Sequence, residues 1–351
     1  MKTRSRVLVV DDSAFVRKVV IQMLSRSTSL EVVGFARDGE EALDQVERLR
    51  PDVVTLDLVM PRMNGVEFLR EQNRRRRVPV VVCSIAHQSG EMALEALEEG
   101  AVEFIQKPTA LATDRVYEIA AELVAKVESA ALAVVKTSAA SPSTPSPERT
   151  APVRADGGRP ASARCDLVVL GISTGGPQAL RHLVPGLAGD FPVPIAIVLH
   201  MPLGYTEMYA RRLDAISTLE VREAHQGDEL RAGVVLVAPA GMHLAVVRHG
   251  GILRAHLDDR PAATQHRPSV DVLFQSAADV LGARVLGVVM TGMGTDGLLG
   301  AAHIKAQGGR IVTEAESSCV VYGMPRAVVE ASLSDRTATL DRMAEAIVEM
   351  I

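Results

Sequence analysis

Residues 138–162, SAASPSTPSPERTAPVRADGGRPAS, hold five prolines and no apolar side chain larger than that of Val153. Such a stretch cannot bury enough apolar surface to offset the entropy lost on ordering, so it is expected to be flexible and partly extended. It therefore divides the 351 residues into two parts, 1–137 and 163–351, each of a size that normally makes one domain. With 47% hydrophobic residues, two sizeable cores are expected.

In residues 1–137, apolar runs at Val7–Val10, Val32–Ala36, Val53–Leu56, Val78–Val82 and Val102–Ile105 alternate with segments of helical spacing. The clearest of these has Val116, Ile119, Ala120, Leu123, Val124 and Val127 recurring at three and four residues. Five βα units in this length predict a doubly wound parallel sheet, whose ligands lie beyond the carboxyl ends of the strands. At those ends stand Asp11 and Asp12, Asp57, Ser84 and Lys107. Carboxylates that converge on one rim need a cation, and an all-oxygen ligand set favours Mg²⁺. Taken singly, each acidic residue reads equally well as a helix cap, and Asp12 or Ser13 is expected to cap the first helix.

Residues 163–351 alternate again. Strands are predicted at Leu167–Ile172, Ile195–Leu199, Val234–Val237, Leu244–Val247, Val285–Met290 and Arg310–Thr313. Helices are predicted over Gln178–Leu187, Tyr205–Leu213, Val270–Leu281, Leu298–Gln307 and Met343–Met350. Strands near His243–Val247 and Gly251–His256, joined by Arg248, His249 and Gly250, suggest a hairpin. The sheet is thus expected to be mainly parallel with an antiparallel excursion. Gly171-Ile172-Ser173-Thr174-Gly175 satisfies G-x-S-x-G between a strand and a helix, the pattern that exposes a nucleophilic serine. A dinucleotide-binding turn is the rival reading, but it needs G-x-G-x-x-G, and Ser173 stands where the second glycine belongs. His200 ends the run IAIVLH, and Asp296 follows the run LGVVM. Three strands would thus deliver a nucleophile, a base and an orienting carboxylate to one sheet edge. Alternatively, His200 is a strand-end histidine and Asp296 a helix N-cap, and Asp296 could serve both ends. The order Ser…His…Asp differs from the Ser…Asp…His of ordinary α/β-hydrolases. His225, His243, His249 and His256 read as ordinary, and no metal motif is present in this half.

On the motifs VLVVDDS, LDLVMPRMNG and FIQKP, the first half resembles the receiver domain of bacterial response regulators, which is flavodoxin-like. The resemblance implies that Asp57 accepts a phosphoryl group and that Asp11, Asp12, Asp57 and the Val59 carbonyl hold Mg²⁺. It also implies that Ser84 and Lys107 contact the phosphoryl oxygens and that Phe104 is an aromatic switch coupled to Ser84. Asn64 stands where many relatives have Asp; both tolerate the turn. On GISTGGP, LHMP, VAPAGMHL, HRPSVDVLF and MTGMGTDG, the second half resembles the catalytic domain of the chemotaxis methylesterase family, CheB, with Leu199 where many relatives have Gln. This implies a serine hydrolase that releases methanol from glutamyl methyl esters of chemoreceptors and deamidates receptor glutamines. Ser173, His200 and Asp296 would be its triad and the Met293 amide its oxyanion donor, with Thr174 either a support behind the site or a substrate contact and Arg267 a substrate contact. A chemotaxis-type histidine kinase would be the phosphodonor, and the receiver would cover the Ser173 cleft until phosphorylated. The same pattern would also suit a receiver-controlled enzyme of another signalling array.

Composition narrows the alternatives. The net charge of −5 and the lack of a basic face speak against nucleic acid as a partner, and Arg74–Arg77 reads as a solvated loop. Three widely spaced cysteines suit a reducing compartment. The apolar run after MKTRSR is too short for a secretory leader, and no run reaches membrane-span length. A cytoplasmic monomer without membrane insertion is expected.

Overall fold

A computed structural model of the chain describes residues 4–84, 90–107, 113–133, 165–261 and 263–351. The proline-rich stretch 138–162 lies outside the described residues.

Parallel strands β1 (Ser5–Val10), β2 (Leu30–Ala36), β3 (Val53–Leu56), β4 (Val80–Ser84) and β5 (Glu103–Gln106) form the first sheet, in the order β2-β1-β3-β4-β5. Every side chain of β3 and β4 is buried, which is why both read as near-continuous apolar runs, interrupted only by Thr55 and the terminal Ser84. β4 starts later than its apolar run because Pro79 has no N–H to give to a ladder. Helices α1 (Ala14–Leu24) and α5 (Thr113–Ala131) pack together, while α2 (Gly39–Leu49), α3 (Gly65–Arg74) and α4 (Gly90–Glu98) form a second layer. Ser13, not Asp12, caps α1 by accepting from the Val16 N–H. Asn64 caps α3 and exchanges bonds with Glu67 in a capping box, so the turn survives the change from the commoner Asp.

The second sheet has seven strands, all parallel. They are β6 (Leu167–Ile172), β7 (Ile195–Leu199), β8 (Glu220–Glu223), β9 (Val234–Val237), β12 (Val285–Val289), β13 (Arg310–Glu314) and β14 (Arg336–Ala338). Their order is β14-β13-β12-β6-β7-β9-β8. The expected antiparallel excursion is instead a separate two-stranded sheet, β10 (His243–His249) with β11 (Ile252–Asp258). Its turn is Gly250–Gly251, both at positive φ (58° and 83°), while Arg248 and His249 pair within the strand. This hairpin lies on α8 (Val270–Leu281), tied by the Val246 N–H to Ser276 Oγ at 3.0 Å. The edge strands β8 and β14 and helix α10 (Met324–Glu330) were not anticipated. β8 reads EVRE and β14 has three residues, so neither carries an apolar run. Helices α6 (Gly176–Leu183), α7 (Thr206–Asp214), α9 (Leu298–Ala306) and α11 (Leu340–Val348) complete the layers.

The two cores are not separate. Leu97 and Phe104 of the first half and Tyr205 and Tyr209 of the second belong to one buried cluster.

Candidate active site and its cover

Strand order changes direction around β6, and ligand sites form at such switch points. β6 lies between β7 and β12, so the loops leaving these three strands meet at one edge. Register aligns them: Ile172 pairs with Leu199, and Gly171 with both Val198 and Val289. The His200 N–H then bonds Ile172 O at 3.1 Å, and the Ser173 N–H bonds Thr291 O at 3.0 Å. Ser173 is thereby fixed between the His200 and Thr291 segments.

The glycines of this turn have separate tasks. A Cβ on Gly171 would lie 2.7 Å from Val270 Cγ2, so Gly171 admits the start of α8 against the sheet. Gly175 takes φ 78° as it leads into α6. On the facing loop, a Cβ on Gly292 would fall 2.8 Å from Ser173 Cβ and 3.2 Å from its nitrogen. Gly292→Ala should therefore displace Ser173, costing about 1–3 kcal/mol in stability and up to about a hundredfold in turnover. Thermal melts and turnover assays check both effects. Next to Gly292, the Met293 amide makes no hydrogen bond among the described residues, and neither does the Thr174 amide.

Asp296 accepts four bonds: from His200 Nε2 at 2.9 Å, Ser269 Oγ at 2.9 Å, the Val270 N–H at 2.8 Å and the Asp271 N–H at 3.0 Å. Burial pushes this carboxyl up, but the His200 bond and charge and the α8 amides outweigh it and bring the pKa to about 2. The carboxylate thus sits at the N-terminus of α8, where a negative charge is favoured. It does not cap its own following helix, as the alternative reading held. The cap site of α9 is Gly297, and Asp271 serves that end by accepting the Gly297 and Gly300 N–H groups at 3.0 and 2.7 Å. HRPSVDVLF and GMGTDG are thus one unit, each helix start supplied with a carboxylate from the other segment.

Because a carboxylate only accepts, His200 Nε2 must carry the proton. In the neutral ring Nδ1 is then a bare lone pair, and it is buried without a hydrogen-bond partner among the described residues. The Ser173 hydroxyl also makes no hydrogen bond among the described residues. His266 stacks on His200, with ring centroids 4.2 Å apart and planes 24° from parallel. Burial, and repulsion from His200 when that ring is protonated, lower its pKa to about 4, so it is a neutral platform. Sequence reasoning passed over His266, which no spacing rule links to His200. Arg267 is half-buried in the same loop.

Thr174, expected to meet substrate, is buried, and its hydroxyl donates to Glu103 Oε2 of β5 at 2.7 Å. The neighbouring Gly175 N–H donates to Val102 O at 3.1 Å. Lys126 of α5 reaches Glu103 at 3.3 Å and Phe104 O at 2.7 Å. Burial disfavours its charge, but Glu103 and Glu122 outweigh that, so it stays an ammonium. Around this centre, Arg181 pairs with Glu98 at 2.8 Å, and Arg212 with Glu91 and Glu98 at 2.7 and 3.1 Å. Phe104 packs on Tyr205 with centroids 4.6 Å apart. The first half thus grips the turn that carries Ser173.

At the far end of β5 is the acidic rim. Asp11, Asp12 and Asp57 place carboxylate oxygens within 4.8 Å of one another. Lys107 Nζ meets Asp11 at 2.6 Å and Asp57 at 2.8 Å. Burial raises the Asp57 pKa, and Lys107 opposes that only in part. The Lys107 N–H bonds Ser84 O at 2.8 Å, which brings the hydroxyl-bearing residue alongside. The Val59 carbonyl accepts no hydrogen bond among the described residues. This donor set fits a hard divalent cation.

A parallel domain with an acidic rim, docked on a second whose rim gathers serine, histidine and aspartate, defines a class: a response regulator with a serine hydrolase as its output half. A family model described as CheB methylesterase matches residues 168–347, and one described as response regulator receiver domain matches residues 7–116. The chain is 55% identical over 340 residues to protein-glutamate methylesterase/protein-glutamine glutaminase 5 of Myxococcus xanthus, covering 96% of this chain and 95% of that protein. Its identity to the protein-glutamate methylesterase/protein-glutamine glutaminase of Geobacillus kaustophilus is 43% over 353 residues, covering 100% and 99%. The crystal structure of the Thermotoga maritima CheB methylesterase catalytic domain superposes with a TM-score of 0.52 at 38% identity, covering 54% of this chain and 100% of that one. The chain belongs to the CheB methylesterase family. Among the described residues no helix is long and apolar enough to cross a membrane.

Proposed function

We propose that residues 163–351 hydrolyse glutamyl methyl esters on chemoreceptors and deamidate receptor glutamines, and that residues 1–137, tethered by 138–162, regulate access to the site. The observation that carries the chemistry is the four-fold anchoring of Asp296, which fixes the His200 tautomer. Ser173 Oγ attacks the ester carbonyl carbon as His200 Nδ1 takes its proton. Here Nδ1 is the base and Nε2 faces the carboxylate, the reverse of the chymotrypsin arrangement. The oxyanion is received by the Met293 amide, with the Thr174 amide as the second donor. Collapse expels methoxide, which leaves as methanol with the proton from Nδ1. Water then adds to the acyl-enzyme, giving its proton to His200, and Ser173 departs reprotonated, leaving glutamate. With a glutamine side chain the same steps release ammonia. Arg267 is a candidate substrate contact, and Thr174 becomes another only once Glu103 withdraws.

Asp57 is the phosphoryl acceptor. Mg²⁺ held by Asp11, Asp12, Asp57 and the Val59 carbonyl would supply charge neutralisation during transfer. Lys107 and Ser84 contact the transferred group, whose donor is a histidine kinase of the chemotaxis type. Phe104, packed on Tyr205, is next to Glu103 on β5, and Glu103 with Lys126 forms the latch that holds Thr174, which supports β5 as the link between the two sites. The protein is proposed to work in the cytoplasm as a monomer.

A fluorophosphonate probe and methanol release from methylated receptor, each with and without acetyl phosphate, test these readings. Labelling should vanish in Ser173→Ala, and undiminished labelling would refute the triad. Acetyl phosphate should accelerate methanol release, and EDTA should abolish that acceleration while sparing the basal rate. A basal rate lost to EDTA would place a metal in the hydrolytic site instead.

A further inference from the structure

His243 is fully buried at the start of β10, remote from Ser173 in sequence and outside the steps above. Its partners dictate its state. The Ser269 N–H points at Nδ1 at 3.1 Å, and a backbone N–H can only donate, so Nδ1 is bare. Nε2 lies 3.2 Å from Pro261 O and 3.1 Å from Thr264 Oγ. A carbonyl can only accept, so Nε2 carries the proton. Burial lowers the His243 pKa; the bond to the Pro261 carbonyl opposes that, Arg267 adds to it, and Asp296 and Asp258 oppose it more weakly. The neutral ring ties Pro261 and Thr264 to the residue just before α8.

That residue is the important one. Ser269 is the N-cap of α8, yet its hydroxyl makes no cap bond. It is turned instead onto Asp296 Oδ1 at 2.9 Å. The Val270 and Asp271 amides beside it supply two further bonds to the same carboxylate. Where the Ser269 backbone sits therefore decides where three of the four donors to Asp296 sit. Among the described residues, His243 is the side chain that receives the Ser269 N–H.

We propose that His243 is a positioning residue of the hydrolytic site, acting through Ser269 to hold Asp296, and through it the imidazole of His200, in register. It touches no reacting atom. Its role is to keep the carboxylate aligned with Nε2 so that Nδ1 faces the nucleophile. This rests on the triad reading above.

The test uses the full chain with acetyl phosphate present, and follows methanol release together with hydrolysis of a small activated ester such as p-nitrophenyl acetate. His243→Leu keeps the bulk but removes both ring nitrogens. His243→Asn retains an oxygen near the Nδ1 position, able to accept from Ser269. The Leu variant should lose about tenfold in kcat on both esters, about 1.4 kcal/mol of barrier, with KM within about twofold. The Asn variant should recover most of that loss at an equal folded fraction. Ser269→Ala keeps the N–H that His243 receives and removes one of the three donors it places, so it should lose less than the Leu variant; if the Leu variant does not fold, His243→Gln, whose amide reaches the Nε2 rather than the Nδ1 position, takes its place. Wild-type kcat in the folded Leu or Gln variant, or Asn no better than Leu in folded protein, would overturn the proposal. If wild-type protein turns over neither ester, the triad reading itself has failed, which separates the two ideas.

Discussion

Asp296→Asn should lower kcat for methanol release by about ten-thousandfold, the size of effect seen when a triad carboxylate is replaced elsewhere. The cause is tautomeric. With its oxygen held at the Oδ1 position by the Asp271 amide and the Ser269 hydroxyl, the carboxamide would turn its NH₂ to His200 Nε2 and the Val270 amide. Nε2 would have to be bare, the proton would move to Nδ1, and the base would point the wrong way. Retention of activity within tenfold would exclude Asp296 from the triad. The substitution also has a pH signature. The folded carboxyl is depressed from 3.8 to about 2. Its stabilisation is therefore complete above pH about 4 and is lost as pH falls towards about 2. The Asn variant lacks that component, so the gap in melting temperature between variant and wild type should close over the same interval.

Glu103→Ala should raise the rate without phosphodonor by roughly tenfold or more. The latch contains a buried ion pair, and removing one member strands the other, at about 3–5 kcal/mol for fully buried pairs. Lys126 keeps partial access to water and an exposed second partner, Glu122, so the lower part of that range applies. The strain is relieved when the first half lifts and Lys126 hydrates, so the open population grows. Loss of the Thr174 bond acts in the same direction. Methanol release without acetyl phosphate measures this, with wild type and Asp57→Asn alongside. An unchanged basal rate in Glu103→Ala would remove the latch from the regulation. Glu98→Ala breaks pairs that are partly solvated, and such pairs contribute little, so its effect should be smaller.

The parallel sheets were legible because buried strands must be apolar throughout, and the residues that end them must be polar wherever chemistry is done. That is why Asp11, Asp57, Lys107, Ser173 and His200 could all be picked from strand ends. The weak elements β8 and β14 were missed for the complementary reason: edge strands need no apolar run. The hairpin was found, but it was assigned to the wrong sheet, since pairing between strands leaves no trace in local pattern.

The sequence alone determined two parallel α/β halves, an acidic rim in one and a serine turn in the other. These follow from local chemistry: a period of apolar residues, a proline-rich break, glycines where a Cβ cannot fit. Only the tertiary structure decided how the parts hold one another. That Asp296 rests on α8 rather than capping α9, that His266 stacks on His200, and that Thr174 is held by Glu103 are contacts between distant segments. Each depends on shape, register and hydrogen-bond direction, which no single stretch of sequence encodes. The serine and its partners could be named from the chain, but the bonds that orient and cover them belong to the fold.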